Sequence, residues 1–115
     1  MKPFDIVLVP FPFANLSATK KRPCLVLSCI KPKKLGAHYV LAMMTSNVSA
    51  LSFPGDVNII NLKFAGLPKP TLVRLAKIVT VEKSLIQKQL GTLATKDRDA
   101  VCESFRKLFS QCVGT

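Results

Sequence analysis

Apolar positions in this chain come in short runs cut by proline and glycine, which is the pattern of strands and not of long helices. Asp5-Ile6-Val7-Leu8-Val9-Pro10 predicts a short buried strand, and Pro10-Phe11-Pro12-Phe13 breaks it into a rigid loop that runs on to Arg22. Residues 23–29 predict a second strand, closed by Ile30-Lys31-Pro32-Lys33-Lys34-Leu35-Gly36, which carries turn chemistry. Residues 39–45 predict a third. Residues 46–55 are small and polar and end in Pro-Gly, so they read as a surface loop. Residues 56–62 follow as a half-alternating strand, and Gly66-Leu67-Pro68-Lys69-Pro70 as a second rigid loop. Residues 72–78 alternate in part, with Arg74 and Lys77 out of phase and so expected on opposite faces.

The last third changes character. Residues 84–86 read as one helical turn and 88–93 as a final strand carrying Gly91. Val101, Phe105, Leu108, Phe109 and Cys112 then recur at helical spacing, with Thr95 as the predicted N-cap and Asp97 and Asp99 in the first turn. Such an amphipathic helix needs a surface to pack on, and core packing is the expected use of Phe105 and Phe109. Five or six short strands and one C-terminal helix predict a mainly β (α+β) fold, a small curled sheet or barrel with the helix docked outside. The 115 residues show no repeat, low-complexity tract or linker, so one domain over residues 1–115 is expected.

Charge narrows the class of partner. Seventeen Lys and Arg against six Asp and Glu leave +11 on a chain that is 49% hydrophobic, the balance of a folded basic protein and not of a disordered tail. Such a surface favours a polyanion or an acidic protein, because Lys and Arg that neutralise phosphates release condensed counterions. Binding to a membrane surface would need the cations on one amphipathic helix, and here they are spread along the whole chain. The longest apolar runs fall far short of the roughly 18 residues of a membrane span. Pro3, Asp5, Pro10 and Pro12 interrupt any secretion-signal core, so the cytoplasm is the expected compartment. Cys24, Cys29, Cys102 and Cys112 fit neither a dense disulfide scaffold nor a zinc motif, and His38 is the sole histidine. Reduced thiols and no metal or other cofactor are expected.

The densest charge lies in Ser17-Ala18-Thr19-Lys20-Lys21-Arg22-Pro23-Cys24-Leu25-Val26-Leu27-Ser28. Three adjacent cations repel one another, so Lys20 to Arg22 read as a solvated loop that ends at Pro23, the first residue of a strand. The proline pushes Arg22 toward extended geometry, so it is expected to point out of the loop at the strand's mouth. That place suits a functional arginine, and it also suits a plain solvated charge run at a loop tip.

Three stretches together resemble the MazF/PemK family of toxins from type II toxin–antitoxin pairs: Asp5-Ile6-Val7-Leu8-Val9, Lys21-Arg22-Pro23-Cys24-Leu25-Val26-Leu27-Ser28, and Thr45-Ser46-Asn47. Leu67-Pro68-Lys69-Pro70-Thr71-Leu72-Val73-Arg74-Leu75 falls where the family has a later block. The resemblance runs from Phe4 to about Leu93. It implies an SH3-like barrel with added helices, a homodimer, an acidic antitoxin as partner, and metal-independent cleavage of single-stranded RNA at short sequences. By position it implies that Arg22 stabilises charge on the scissile phosphate and that Thr45 holds or polarises it. Ser46 and Asn47 would contact substrate beside Thr45, and Arg74 matches an arginine used by the Kid-like members. Those members place an aspartate two residues after that arginine as general base. Here the residue is Ala76, so that role does not carry over. The first strand opens with Phe4-Asp5 where the family usually has Gly-Asp.

Cleavage of RNA without a metal requires a 2′-hydroxyl to attack its own phosphate, with two proton transfers and charge stabilisation in the transition state. A guanidinium suits the last task, since its planar fork donates two hydrogen bonds and stays charged. On this reading Lys20 and Lys21 attract the strand and Arg22 grips one phosphate. Asp5 and Glu82 are base candidates by elimination, and His38 is either a base or a solvated loop histidine. Phe11, Phe13 and Phe53 lie in predicted loops and Tyr39 opens a strand; each either stacks on a base or plugs a barrel end. Two other functions fit the same resemblance. A relative that binds RNA without cutting it is suggested by Ala76. A CcdB-like gyrase inhibitor relies on a C-terminal Trp-Gly-Ile, whereas this sequence ends in Cys-Val-Gly-Thr and contains no tryptophan.

Overall fold

The central strands are apolar on both faces, which is why their sequence runs lack polar alternation. The computed structural model describes residues 1–11, 20–49 and 51–113. Strands β1 (Asp5–Phe11), β2 (Lys20–Ile30), β3 (His38–Thr45), β4 (Asp56–Asn58), β5 (Leu72–Glu82) and β6 (Lys88–Thr92) form one antiparallel sheet in the order β4-β5-β3-β2-β1-β6. Ile6, Leu25, Ala42 and Met44 face helices α1 (Leu62–Ala65) and α2 (Thr95–Leu108), where Ala65, Leu93 and Val101 complete a buried cluster. Val7, Val9, Cys24, Val26 and Leu41 form a second buried cluster with Tyr39 and Val81. Ala42 pairs with Ile78 but Met43 pairs with Arg74, so β5 bulges between them. A bulge bends its strand, and the far half of β5 supplies Val79 and Val81 to the second cluster. Partner faces for Arg74 and Lys77 therefore do not follow from simple alternation.

The sheet is mainly β as expected, but it is open. No ladder joins β4 to β6 among the described residues, so of the expected curled sheet or barrel the structure shows the curled sheet, with two edges, and not the barrel. The predicted strand over 56–62 shrinks to three residues because of a contact with a residue distant in sequence. Asp97 on α2, almost completely buried, accepts from Ile60 N at 2.9 Å and Asn61 N at 3.0 Å, which pulls the chain out of the sheet. Asn61 Oδ1 then accepts from Phe64 N at 3.1 Å and caps α1. Gly66, at φ 74°, closes that short helix by donating its N–H to Leu62 O and Lys63 O.

The opposite edge is sealed by two glycines. A Cβ on Gly66 would lie 2.0 Å from the Leu90 carbonyl oxygen, and one on Gly91 would lie 2.5 Å from Ala65 C and O. Backbone therefore touches backbone where the end of α1 meets β6, an approach only glycine allows. This contact positions the segment after α1 against β6.

At the C-terminal end α2 starts at Thr95 with Ala94 as its N-cap, so Thr95 is the first helical residue and not the cap. The helix breaks at Phe109 and a short turn of helix, α3 (Ser110–Val113), carries Cys112, correcting the single continuous helix. Phe105 and Phe109 stack on each other with ring centroids 4.6 Å apart, and Phe105 stays 40% exposed. Phe105 lines a largely apolar cavity of about 410 Å³ with Leu27, Val40 and Ile78 under α2. The four cysteines are free thiols. No helix is long and apolar enough to cross a membrane among the described residues.

Candidate functional site

The three cations of the densest charge run are in strand, not loop. Val9 pairs with Arg22, Pro10 with Lys21 and Phe11 with Lys20, so β2 begins at Lys20. Pairing with β1 holds the run extended, which spaces the three charges along the strand and eases the repulsion that argued for a loop. Pro23 pairs with Leu8 on β1, and the β2–β3 ladder begins only at Cys24 and Met43. The proline thus interrupts no bond to β3. Continued by two residues, the same register sets Arg22 opposite Thr45 at the end of β3.

Around that end lies a cleft of about 510 Å³. Lys20, Lys21 and Arg22 line it from β2, and Thr45 and Ser46 from β3. Leu8, Pro23, Met44, Leu67 and Leu90 supply an apolar floor. Three further polar residues reach it that the sequence did not single out: Lys69 and Thr71 from the segment after α1, and Lys88 at the start of β6. The Gly66 and Gly91 backbone contact brings both of those segments to the cleft. The lining therefore holds five cations and no carboxylate. None of the five forms an ion pair among the described residues, and residues 12–19 contain no acidic side chain.

Thr45 is oriented by the turn that follows it. Its Oγ1 accepts from Asn47 N at 3.1 Å, which leaves the hydroxyl proton free to donate. Asn47 itself is not part of the cleft lining, and its Oδ1 accepts from Ser49 Oγ at 3.3 Å. Cys24, one strand position beyond Pro23, is fully buried. Burial pushes its thiol up to about 12, against a smaller downward pull from the Arg22 charge, so it is no nucleophile at neutral pH.

Arg74 stands apart from the cleft. Its Nε donates to Asp56 Oδ1 at 3.1 Å and its Nη2 to Asp56 Oδ2 at 3.0 Å, a two-pronged clamp that ties the edge strand β4 to β5. Burial works against ionisation of Asp56. The hydrogen bonds from Arg74 and from Phe53 N, with the Arg74 charge, nevertheless hold its carboxyl below the usual aspartate value.

The three base candidates are elsewhere as well. His38 and Glu82 pair at the far end of β3 and β5, seven residues from Thr45 or roughly 23 Å along an extended strand. His38 Nδ1 lies 3.0 Å from the Gly36 carbonyl oxygen, an exposed loop contact. Asp5 is buried, and Oδ2 accepts from Lys2 N at 2.8 Å. Of the aromatic candidates, Tyr39 is buried in the second cluster beside Cys29, whose hydrogen bond raises the phenol's pKa. Phe53 is exposed in a loop outside the cleft, Phe11 ends β1, and Phe13 falls outside the described residues. Among the described residues no three His, Cys, Asp or Glu side chains gather as a metal site.

Over residues 2–109 the sequence matches the family model described as PemK-like, MazF-like toxin of type II toxin–antitoxin system. The chain belongs to that toxin family. Solved structures agree on the fold. The MazF-like chain superposes on the Mycobacterium tuberculosis toxin MazF-mt6 with a TM-score of 0.68 at 20% identity, covering 95% of this chain and 97% of that one. It is similar to a mycobacterial endoribonuclease solved in complex with its cognate antitoxin, with a TM-score of 0.67 at 15% identity and coverage of 93% and 92%. A further mycobacterial endoribonuclease gives a TM-score of 0.64 at 15% identity, covering 93% of this chain and 88% of that one. Comparison with curated proteins gives no match in sequence. In this MazF-like chain the cleft offers donors to an anionic, extended ligand, and only Arg22 among them presents a planar fork.

Proposed function

We propose that this toxin is an endoribonuclease that cuts single-stranded RNA without a metal ion. The observation that carries the reading is the cleft, which among the described residues is lined by five cations and three hydroxyl side chains and by no carboxylate or imidazole. That lining suits a phosphodiester and offers a divalent cation no hard anionic ligand. Arg22 is assigned to the charge that develops on the scissile phosphate, with Thr45, its hydroxyl aimed by the Asn47 amide, as second donor. Lys20, Lys21 and Ser46 bind the substrate backbone. Arg74 and Asn47 act from outside, Arg74 by holding β4 and Asn47 by setting Thr45. Proton transfer is left to groups other than Asp5, Glu82 and His38, none of which lines the cleft. Two structural neighbours are endoribonucleases, one of them solved in complex with its cognate antitoxin, and both facts support the reading. An acidic antitoxin segment laid in the cleft would neutralise the same cations and silence the enzyme.

The test is incubation of the purified protein with a long single-stranded RNA in excess EDTA. Fragments with 2′,3′-cyclic phosphate and 5′-hydroxyl ends are expected. Tight binding with intact RNA would instead identify a non-cutting relative, and loss of activity in EDTA would overturn the metal-free mechanism.

A further inference from the structure

We propose that Lys69 and Lys88 form a second phosphate-holding wall across the cleft from Arg22, and so fix the register in which the scissile phosphate reaches that arginine. The proposal rests on reading the cleft as an RNA site. Leu8 is flanked in the sheet by Pro23 on β2 and by Lys88 on β6. Lys88 thus stands two strand spacings from the Pro23 backbone, roughly 10 Å. Lys69 sits between Pro68 and Pro70, and its carbonyl accepts from Thr71 Oγ1 at 2.9 Å. The Gly66 and Gly91 contact presses this segment against β6, so both lysines reach the cleft from that pair of segments, while Arg22 reaches it from β2.

Leu8, Leu67 and Leu90 line the same cleft, and among the described residues no acidic side chain lining it offsets the charge. Like charges that line one cleft repel, and an anion that touches several of them removes that repulsion. A chain of successive phosphates can answer Arg22 and the two lysines at once, as a lone phosphate cannot. Lys69 and Lys88 are therefore positioning residues. They hold a phosphate next to the reacting one, with the intervening nucleoside on Leu8, Leu67 and Leu90.

Two readouts test this. Affinity for an uncleavable, all-2′-deoxy single-stranded oligonucleotide is measured against salt, and cleavage of RNA is resolved into kcat and KM. For the double variant Lys69→Ala/Lys88→Ala the expected loss of affinity is roughly tenfold, the equivalent of one charge-assisted hydrogen bond. The slope of log affinity on log salt becomes shallower by about 0.7 for each phosphate contact removed. KM rises with kcat within about twofold, and Lys69→Arg/Lys88→Arg restores both. Lys33→Ala, in the β2–β3 loop at the other end of the sheet, leaves the slope unchanged. A wild-type slope and KM in the double alanine variant would overturn the proposal, as would an equal loss in Lys33→Ala. If the wild-type protein cuts no RNA, the nuclease reading fails, while the salt slope still decides for or against the lysine wall.

Discussion

Replacement of Arg22 by alanine is expected to slow RNA cleavage by about 10² to 10³ fold, the usual cost of deleting one preorganised donor from a developing oxyanion. The loss should fall on the chemical step. Lys20, Lys21, Lys69 and Lys88 remain to hold the backbone, so substrate affinity should drop far less than the single-turnover rate. Arg22→Lys keeps the charge but not the fork, and should recover only part of the rate. Arg22 takes part in no ion pair among the described residues, so neither change should move the melting temperature by more than a degree or two. Single-turnover kinetics beside thermal melts check the pair of expectations. A variant that cuts at the wild-type rate would remove Arg22 from the chemistry.

The largest structural effect is expected at Gly91. Its backbone is not left-handed, so conformational freedom is not the reason for glycine there. The reason is space, since a Cβ would meet Ala65 C and O at 2.5 Å and Phe64 O at 2.7 Å, all of them backbone that cannot rotate away. Gly91→Ala must push α1 off β6. Forced overpacking of this kind costs about 2–3 kcal/mol, or roughly 10 °C in melting temperature for a chain of this size. The same displacement carries Lys69 away from Lys88, so oligonucleotide affinity should fall even at temperatures where the variant is folded. Gly36→Ala is the contrast. At φ 76° with nothing within 4 Å, it should cost only about 1 kcal/mol of backbone strain. Equal melting temperatures for the two variants would show that the α1–β6 contact is not the constraint it looks to be.

Much of the sheet was legible because its strands are bounded by proline and glycine and are apolar enough to need burial on both faces. β3 and the core of β1 and β2 fall where those runs lie. The errors trace to particular residues. The Lys20-Lys21-Arg22 run looked like loop because repulsion was counted without the relief that an extended strand paired with β1 provides. The segment after Asn58 looked like strand because nothing local reveals that Asp97, 36 residues on from Asn61, captures two of its amides. Thr95 looked like a cap because it is a good capping residue, yet the helix starts one position earlier than that role requires.

The candidate site divides in the same way. Arg22 and Thr45 were singled out through the Arg-Pro and Thr-Ser-Asn stretches that resemble the family, and both line the cleft, although Arg22 does so from within β2 and not from a loop. Lys69 and Lys88 could not be singled out, since they meet only through a backbone contact between glycines 25 positions apart. Arg74 is the converse case, a residue type suited to phosphate that the fold commits to Asp56. The base candidates were chosen by chemistry alone, and topology carries His38 and Glu82 to the opposite end of the sheet.

The central claim is that the RNA backbone lies in the cationic cleft at the end of β2 and β3. Backbone amide shifts of the labelled protein, titrated with an uncleavable all-2′-deoxy single-stranded oligonucleotide, test it most directly. The largest movements should fall at Lys21, Arg22, Thr45, Ser46, Lys69 and Lys88. Movements concentrated instead in the 31–36 loop or around the cavity under α2, with these six still, would contradict it.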